Sequence, residues 1–343
     1  MDRIKGQDAA VGVLGAALRG GRVPHALLFA GPAGVGKATS AFEVAKAILC
    51  RKGKAEPCET CPSCRRVESR THSDLYILAP PRERASIVID DVRALSASLY
   101  ESPMEGMRKV AVIDPADALT EEAQNSLLKT LEEPPEDTTI ILAAVNTDAL
   151  LPTVRSRCRR VDFVRIPDDA VERFLVESGV GKDRAAQIAR VADGSFGAAL
   201  ALADGALLAA RREAIPAVLG ARRGGEDALA EAIMAGAAPK GKRKLKDIRE
   251  DALGIATILE SVVVDCIRVK TGSGIRANTD LADEIKAFAG RRDFEALTAL
   301  EKTVSDGIIM LGYFADVRLV VTGIVGAFSR FNAADETQIE VIQ

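Results

Sequence analysis

The sequence predicts an α/β half followed by an all-helical half, on three observations. Short apolar runs alternate with helical patterns as far as residue 163. A glycine-rich turn separates the first of these runs from an amphipathic helix. Beyond Pro167 the strand signal stops, and Ala/Leu/Ile-rich helical patterns continue to about residue 330.

The strand candidates are ALLFA (26–30), LYIL (75–78), KVAVID (109–114), TIILAAV (139–145) and the short RVDF (160–163). Runs this short and this apolar suit a parallel sheet covered on both faces by crossover helices. Between the third and fourth runs, LTEEAQNSLLKTLEEPP predicts a helix. Thr120 is its N-cap, Glu121 and Glu122 sit at the positive end of its dipole, and Pro134 stops it. Its buried face should carry Ala123, Leu127, Leu128 and Leu131. In the second half, turns are expected near Gly224, Gly236 and Gly272, and the tail NAADETQIEVIQ should fray.

With 343 residues, 48% of them hydrophobic, the chain can bury a large core divided among two or three domains. A formal net charge of −3 gives no global attraction to nucleic acid. The one basic run, Lys240 to Lys246, has no interleaved aromatic residue and is expected to be a solvated loop. No stretch of 18 apolar residues occurs and MDRIKGQDAA lacks the pattern of a signal peptide, so a cytoplasmic protein is expected.

GPAGVGKA, residues 31–38, meets the phosphate-loop pattern G-x-x-x-x-G-K-[ST] except at its last position. Gly31, Gly34 and Gly36 let backbone N–H groups converge on one concavity, Lys37 can reach phosphate oxygens, and the following helix offers its positive end. Ala38 stands where a hydroxyl ordinarily holds Mg²⁺. Thr39 is one residue too late, about 100° further round the helix. A hydrolase of this architecture also needs an apolar strand ending in Asp-Glu. Here Asp114 is followed by Pro115, which accepts no proton, and Asp117 is expected to have a surface role. Whether ATP or ADP binds without being hydrolysed stays open at this level.

Four cysteines, Cys50, Cys58, Cys61 and Cys64, follow the spacing C-x7-C-x2-C-x2-C in a turn-rich insert. In a reducing compartment this reads as a closed, structural Zn²⁺ site, with His72 a conceivable substitute ligand. Cys158 and Cys266 are isolated and expected to be buried thiols, and His25 is expected to be structural.

Together the phosphate loop, IDPADAL, NSLLKTLEEPP, LPTVRSRCRRVDF and GSFGAALAL resemble, in this order, the clamp-loader AAA+ subunits of bacterial DNA polymerase III. The resemblance spans residues 1 to about 205; beyond that it extends to length and helical class only. It implies an AAA+ core over 1–166 with a zinc insert at about 50–64, a helical lid over 167–206 and a helical collar for oligomerisation over 207–343. It also implies that Arg157, in the Ser156-Arg157-Cys158 motif, is an arginine finger acting in a neighbour's ATP site, with Arg155 and Arg159 close by. Active relatives carry a lid arginine where this chain has Gly197. With Ala38 and Pro115, that makes three departures from a hydrolysing site. The function implied is a non-catalytic stator that joins gamma/tau and delta subunits and helps load the sliding clamp on primed DNA. Two alternatives stay open: a gamma/tau-like ATPase, and a zinc-dependent nucleic-acid-binding module using Arg65, Arg66 and Arg70 around the cysteines.

Overall fold

The computed structural model describes residues 4–53, 55–81, 84, 86–106, 108–203, 206–236, 245–312 and 316–333. The chain forms two compact units, residues 1–166 and 167–343.

In the first unit the order is α1 (Asp8–Arg19), β1 (Ala26–Ala30), α2 (Lys37–Leu49), α3 (Pro62–Glu68), β2 (Leu75–Leu78), α4 (Ile89–Tyr100), β3 (Lys109–Ile113), α5 (Glu121–Glu132), β4 (Thr138–Ala144), α6 (Pro152–Arg157) and β5 (Arg159–Asp162). The five strands form one parallel sheet in the order β2-β3-β4-β1-β5. All five predicted runs are strands, each within one residue of its expected bounds. The central strands β1, β3 and β4 are buried at every position. Side chains alternate across a strand, and the two cores follow from that alternation. Leu28, Ala111, Ile113, Ile140 and Leu142 pack with Leu95 and Leu99 of α4 and Leu127 and Leu131 of α5. Leu27, Phe29, Val110, Val112 and Ile141 pack with Leu14 of α1 and Ala41, Val44 and Ala45 of α2. The edge strand β5 is exposed except at Val161, so charged residues occupy a row with no partner strand beyond it.

Helix α5 follows its sequence signals. The Thr120 side chain accepts from the Ala123 N–H, and Ala123, Leu127 and Leu131 are buried. Leu128 is only partly buried, packed against the edge of that core.

The second unit is helical among its described residues: α7 (Asp168–Glu177), α8 (Lys182–Ala192), α9 (Phe196–Ala203), α10 (Ala206–Leu219), α11 (Glu226–Gly236), α12 (Leu245–Lys270), α13 (Ala282–Gly290), α14 (Phe294–Gly312) and α15 (Val317–Ala333). A few buried polar groups add to its apolar core. Asp265 accepts from the backbone N–H groups of Arg276, Ala277 and Asn278. Arg211, 1% exposed, binds Asn278 at 3.0 Å and pairs with Asp280. Removing one partner of such a set strands the other in a medium that solvates it poorly, so these pairs specify the arrangement of α10, α12 and the 276–280 turn. Gly224 and Gly272 occupy left-handed turns as expected, and Gly236 ends α11. Residues 237–244, which hold most of the basic run, and the tail 334–343 lie outside the described residues.

Candidate nucleotide site and metal centre

The strand order explains where a ligand would sit. From β1 the chain crosses to the far edge at β2, works back through β3 and β4, and then places β5 on the other side of β1. Such a reversal opens a crevice at the carboxyl ends of the strands. The glycine-rich loop leaves β1 at this crevice and enters α2 through Gly36, whose φ of 99° few other residues adopt. A Cβ on Gly31 would lie 2.2 Å from the Phe163 carbonyl oxygen, so β5 and the loop close on each other only with glycine there. Buried Gln7 fastens the other side: its amide donates to Val35 O (3.2 Å) and Val164 O (2.7 Å), and its carbonyl accepts from Val164 N (3.1 Å). Sequence reading missed Gln7; its one signal was a polar residue beside a turn glycine at the start of α1.

Lys37 is 7% exposed and donates to the loop's own carbonyls, Gly31 O at 2.7 Å and Pro32 O at 2.5 Å. Burial lowers its pKa from the ordinary 10.5 to about 8, although Asp114 and Asp117 favour the charge. The lysine therefore sits near two carboxylates that follow β3, Asp114 and Asp117. Thr39 is exposed and supplies no hydroxyl in place of Ala38. The carboxyl of Asp114 is raised, chiefly by desolvation. Asp117 is more than a surface residue: it accepts from Asn146 N (3.2 Å) and Val145 N (3.4 Å), tying the turn after β3 to the end of β4. Gly197 is exposed on α9, in the second unit.

Arg157 ends α6, half-exposed, and its guanidinium lies 2.5 Å from Glu132 and 3.0 Å from Thr153 O. Helix α5 positions α6 twice. Besides Glu132, buried Gln124 donates to Ala149 O (3.0 Å) and accepts from Leu151 N (2.6 Å) at the mouth of α6. Of its neighbours, Arg155 pairs with Asp148 at 2.9 Å, and Arg159 is exposed on β5.

The four cysteines converge: their Sγ atoms all lie within 4.8 Å of one another, with Cys50–Cys61 and Cys58–Cys64 both at 4.0 Å. A disulfide needs about 2.05 Å, whereas a tetrahedron with Zn–S near 2.3 Å has edges of about 3.8 Å. The donor set and spacing fit one tetrahedral metal. Backbone N–H groups of Gly53 and Cys58 point at Cys50, that of Cys61 at Cys58 and that of Cys64 at Cys61 (3.2–3.4 Å), which favours thiolates; those of Thr60 and Cys61 bring the Cys58 thiol down to about 6. Gly53 is required, because a Cβ there would meet Glu56 O at 1.9 Å. His72 is no ligand. Its Nδ1 accepts from Asp74 N (3.1 Å), so Nε2 carries the hydrogen and donates to Ser63 Oγ (2.9 Å), which donates in turn to Leu49 O (2.6 Å). Lys46, 1% exposed, staples the insert to α2 through Glu43, Glu59 and Glu68. Of the arginines near the cysteines, Arg66 pairs with Glu105, Arg70 lies 4.6 Å over the Phe42 ring, and Arg65 is exposed. Cys266 is buried, Cys158 is only partly buried with its thiol raised to about 12 by burial, and His25 is exposed.

The profile of the family described as "DNA polymerase III, delta subunit" matches residues 6–167, the whole unit that carries both sites. Over this stretch the chain is similar to the delta′ subunits of DNA polymerase III. It is 38% identical over 170 residues to subunit delta′ of Bacillus subtilis, covering 50% of this chain and 51% of that one. To Escherichia coli delta′ it is 36% identical over 189 residues (54% and 57%). To the tau subunit of the same organism it is 36% identical over 207 residues (58% and 32%). The chain thus spans about half the length of the delta′ relatives it matches. Among solved structures, a DNA polymerase III gamma subunit-related protein from Thermotoga maritima aligns with 92% of this chain and 98% of its own at 18% identity, with a TM-score of 0.45. The five-stranded parallel sheet followed by a helical second half is the α/β and all-helical organisation that the sequence predicts.

Proposed function

We propose that this chain is a delta-prime-type subunit of the DNA polymerase III clamp loader: a non-catalytic stator that completes a neighbour's ATP site with Arg157. The observation that carries the reading is the phosphate loop. Its cradle is intact, but Ala38 leaves no hydroxyl for a metal, Pro115 follows Asp114 where a water-orienting carboxylate is needed, and Lys37 is satisfied by its own loop carbonyls. Gly197 removes a third group from the lid segment. Identity does not separate delta′ from tau, since 38% and 36% are alike; the chemistry of the loop favours the delta′ reading.

In this reading Gly31, Gly34, Gly36 and Lys37 can still hold ATP or ADP without turnover, and Cys50, Cys58, Cys61 and Cys64 hold one structural Zn²⁺. Residues 167–206 serve as lid and 207–343 as collar, joining gamma/tau and delta subunits. The sliding clamp and primed DNA are met through the assembled complex, in the cytoplasm. The zinc-module alternative is weakened, because Arg66 of its three arginines is paired with Glu105, leaving only Arg65 and Arg70 exposed.

Reconstitution with gamma/tau and delta subunits tests the proposal. The isolated chain should not hydrolyse ATP, and its addition should raise clamp- and DNA-dependent ATPase of the complex. ATP turnover by the isolated chain that is lost in Lys37→Ala would overturn it.

A further inference from the structure

We infer that the second unit carries a phosphate-binding pocket built from Arg222, Arg223 and Arg291, separate in kind from the phosphate loop. A cavity of about 430 Å³ is lined by Gly220, Ala221, Asn332 and Ala333 together with these three arginines, and among the described residues no carboxylate lines it.

The pocket lies where α10, α13 and α15 end, so an arginine there could merely neutralise helix dipoles. The local bonding argues otherwise. Some of the carbonyls at these ends already have donors: Asn332 Nδ2 binds Leu219 O (3.1 Å) and Ala221 O (2.9 Å), and Arg292 binds Phe331 O (2.8 Å). Arg222 and Arg223 have no side-chain partner among the described residues, and Asn332 Oδ1 aims Arg291 from 3.4 Å. Three helix ends carry about half a negative charge each, which does not cancel three whole positive ones. Two carboxylates in these segments are oriented by neutral donors, Glu226 by Gly224 N and Ser329 and Asp293 by the Ala296 N–H; they keep their charge, but neither lines the cavity.

The unbalanced charge identifies the ligand class. One carboxylate is matched by one bidentate guanidinium, leaving two of these arginines unanswered. A multiply charged phosphoanion, or successive phosphates of a nucleic-acid strand, engages all three with the fork geometry that arginine supplies. The pocket is not part of the clamp-loading reading and stands or falls without it.

The full chain carrying Lys37→Ala, which removes the phosphate loop's contribution, is the test protein. Tripolyphosphate binding is measured by calorimetry, and binding of a labelled single-stranded oligothymidine by anisotropy at about 50 mM salt and above. Adding Arg222→Ala, Arg223→Ala and Arg291→Ala should lower tripolyphosphate affinity at least tenfold with unchanged circular dichroism. Arg223→Gln alone should lower it severalfold, which keeps the test open should the triple variant not fold. If oligothymidine weakens too, and its salt slope falls by about 2, strand phosphates are the source; if only tripolyphosphate weakens, the source is a free phosphoanion. Unchanged affinity for both probes overturns the inference. So does a polyglutamate peptide that binds more tightly than tripolyphosphate and is lost in the variant, which would make the pocket a socket for an acidic protein segment.

Discussion

Replacing Arg157 by alanine separates the role of this side chain in its own fold from its role in a neighbour. Within the chain it makes one ion pair with Glu132 and one bond to Thr153 O, and both ion-pair partners are substantially exposed (35% and 49%). Such a pair contributes about 0.2–1 kcal/mol, since water screens it and two long side chains must be ordered. The anchoring of α6 rests instead on buried Gln124 and Val154, which the substitution leaves alone. Arg157→Ala should therefore lower stability by less than about 1 kcal/mol and leave metal content and assembly unchanged. An arginine finger contributes about 10³–10⁵ in rate, or roughly 4–7 kcal/mol of barrier. One ATP site of the reconstituted loader should thus fall nearly silent, giving a partial loss of total ATPase and a larger loss of clamp loading. Arg157→Lys should rescue little, because a point charge lacks the planar fork. The assays are single-turnover ATP hydrolysis and clamp loading with purified subunits. Wild-type loading by a fully assembled Arg157→Ala complex would refute the assignment.

Other expectations follow from the same geometry. Protein purified without chelator should contain about one zinc per chain, Cys61→Ser should release it, and elemental analysis finding no metal would exclude the site. Gly31→Ala should destabilise the first unit by about 1–3 kcal/mol or more, measured by urea unfolding, because its Cβ would collide with the Phe163 carbonyl rather than a movable side chain. Ala38→Thr alone should not restore ATPase activity, since the missing groups act together. Lys37 offers a pH test with a definite sign. Its folded pKa, about 8, lies below the ordinary 10.5, so between these values the unfolded chain binds more protons and stability rises with pH. Relative to Lys37→Met, the wild type should be least stable below pH 8, by up to roughly 3 kcal/mol, and should recover that deficit as the pH approaches 10.5; a difference independent of pH would show that Lys37 keeps its charge.

Much of the first unit was legible because its signals are local. A strand buried on both faces must be apolar along its length, so β1, β3 and β4 announce themselves, as do the Thr120 cap and the cysteine spacing. The signals weaken where a residue acts over distance. His72 looks like a spare ligand beside four cysteines, yet both ring nitrogens are spent, Nε2 on Ser63 of α3, which reaches the end of α2, and Nδ1 on the Asp74 N–H ahead of β2. Asp117 looks like a surface turn residue, yet it holds the end of β4. Gln7 and Gln124 are ordinary polar residues in sequence; each is buried and satisfies backbone groups that no helix or strand ladder reaches.

The sequence by itself determined the composition of both sites: a phosphate cradle without its metal hydroxyl, and four thiols at metal spacing. Both depend on the identity of neighbouring residues and on backbone conformations those residues permit, which are local properties. Only the tertiary structure decided the strand order that puts Asp114 and Asp117 beside Lys37, the pairing of Arg157 with Glu132, and the meeting of Arg222, Arg223 and Arg291 around Asn332. These residues lie far apart along the chain, and what unites them is the burial of apolar faces elsewhere, which fixes where each helix ends and leaves charge to be satisfied there.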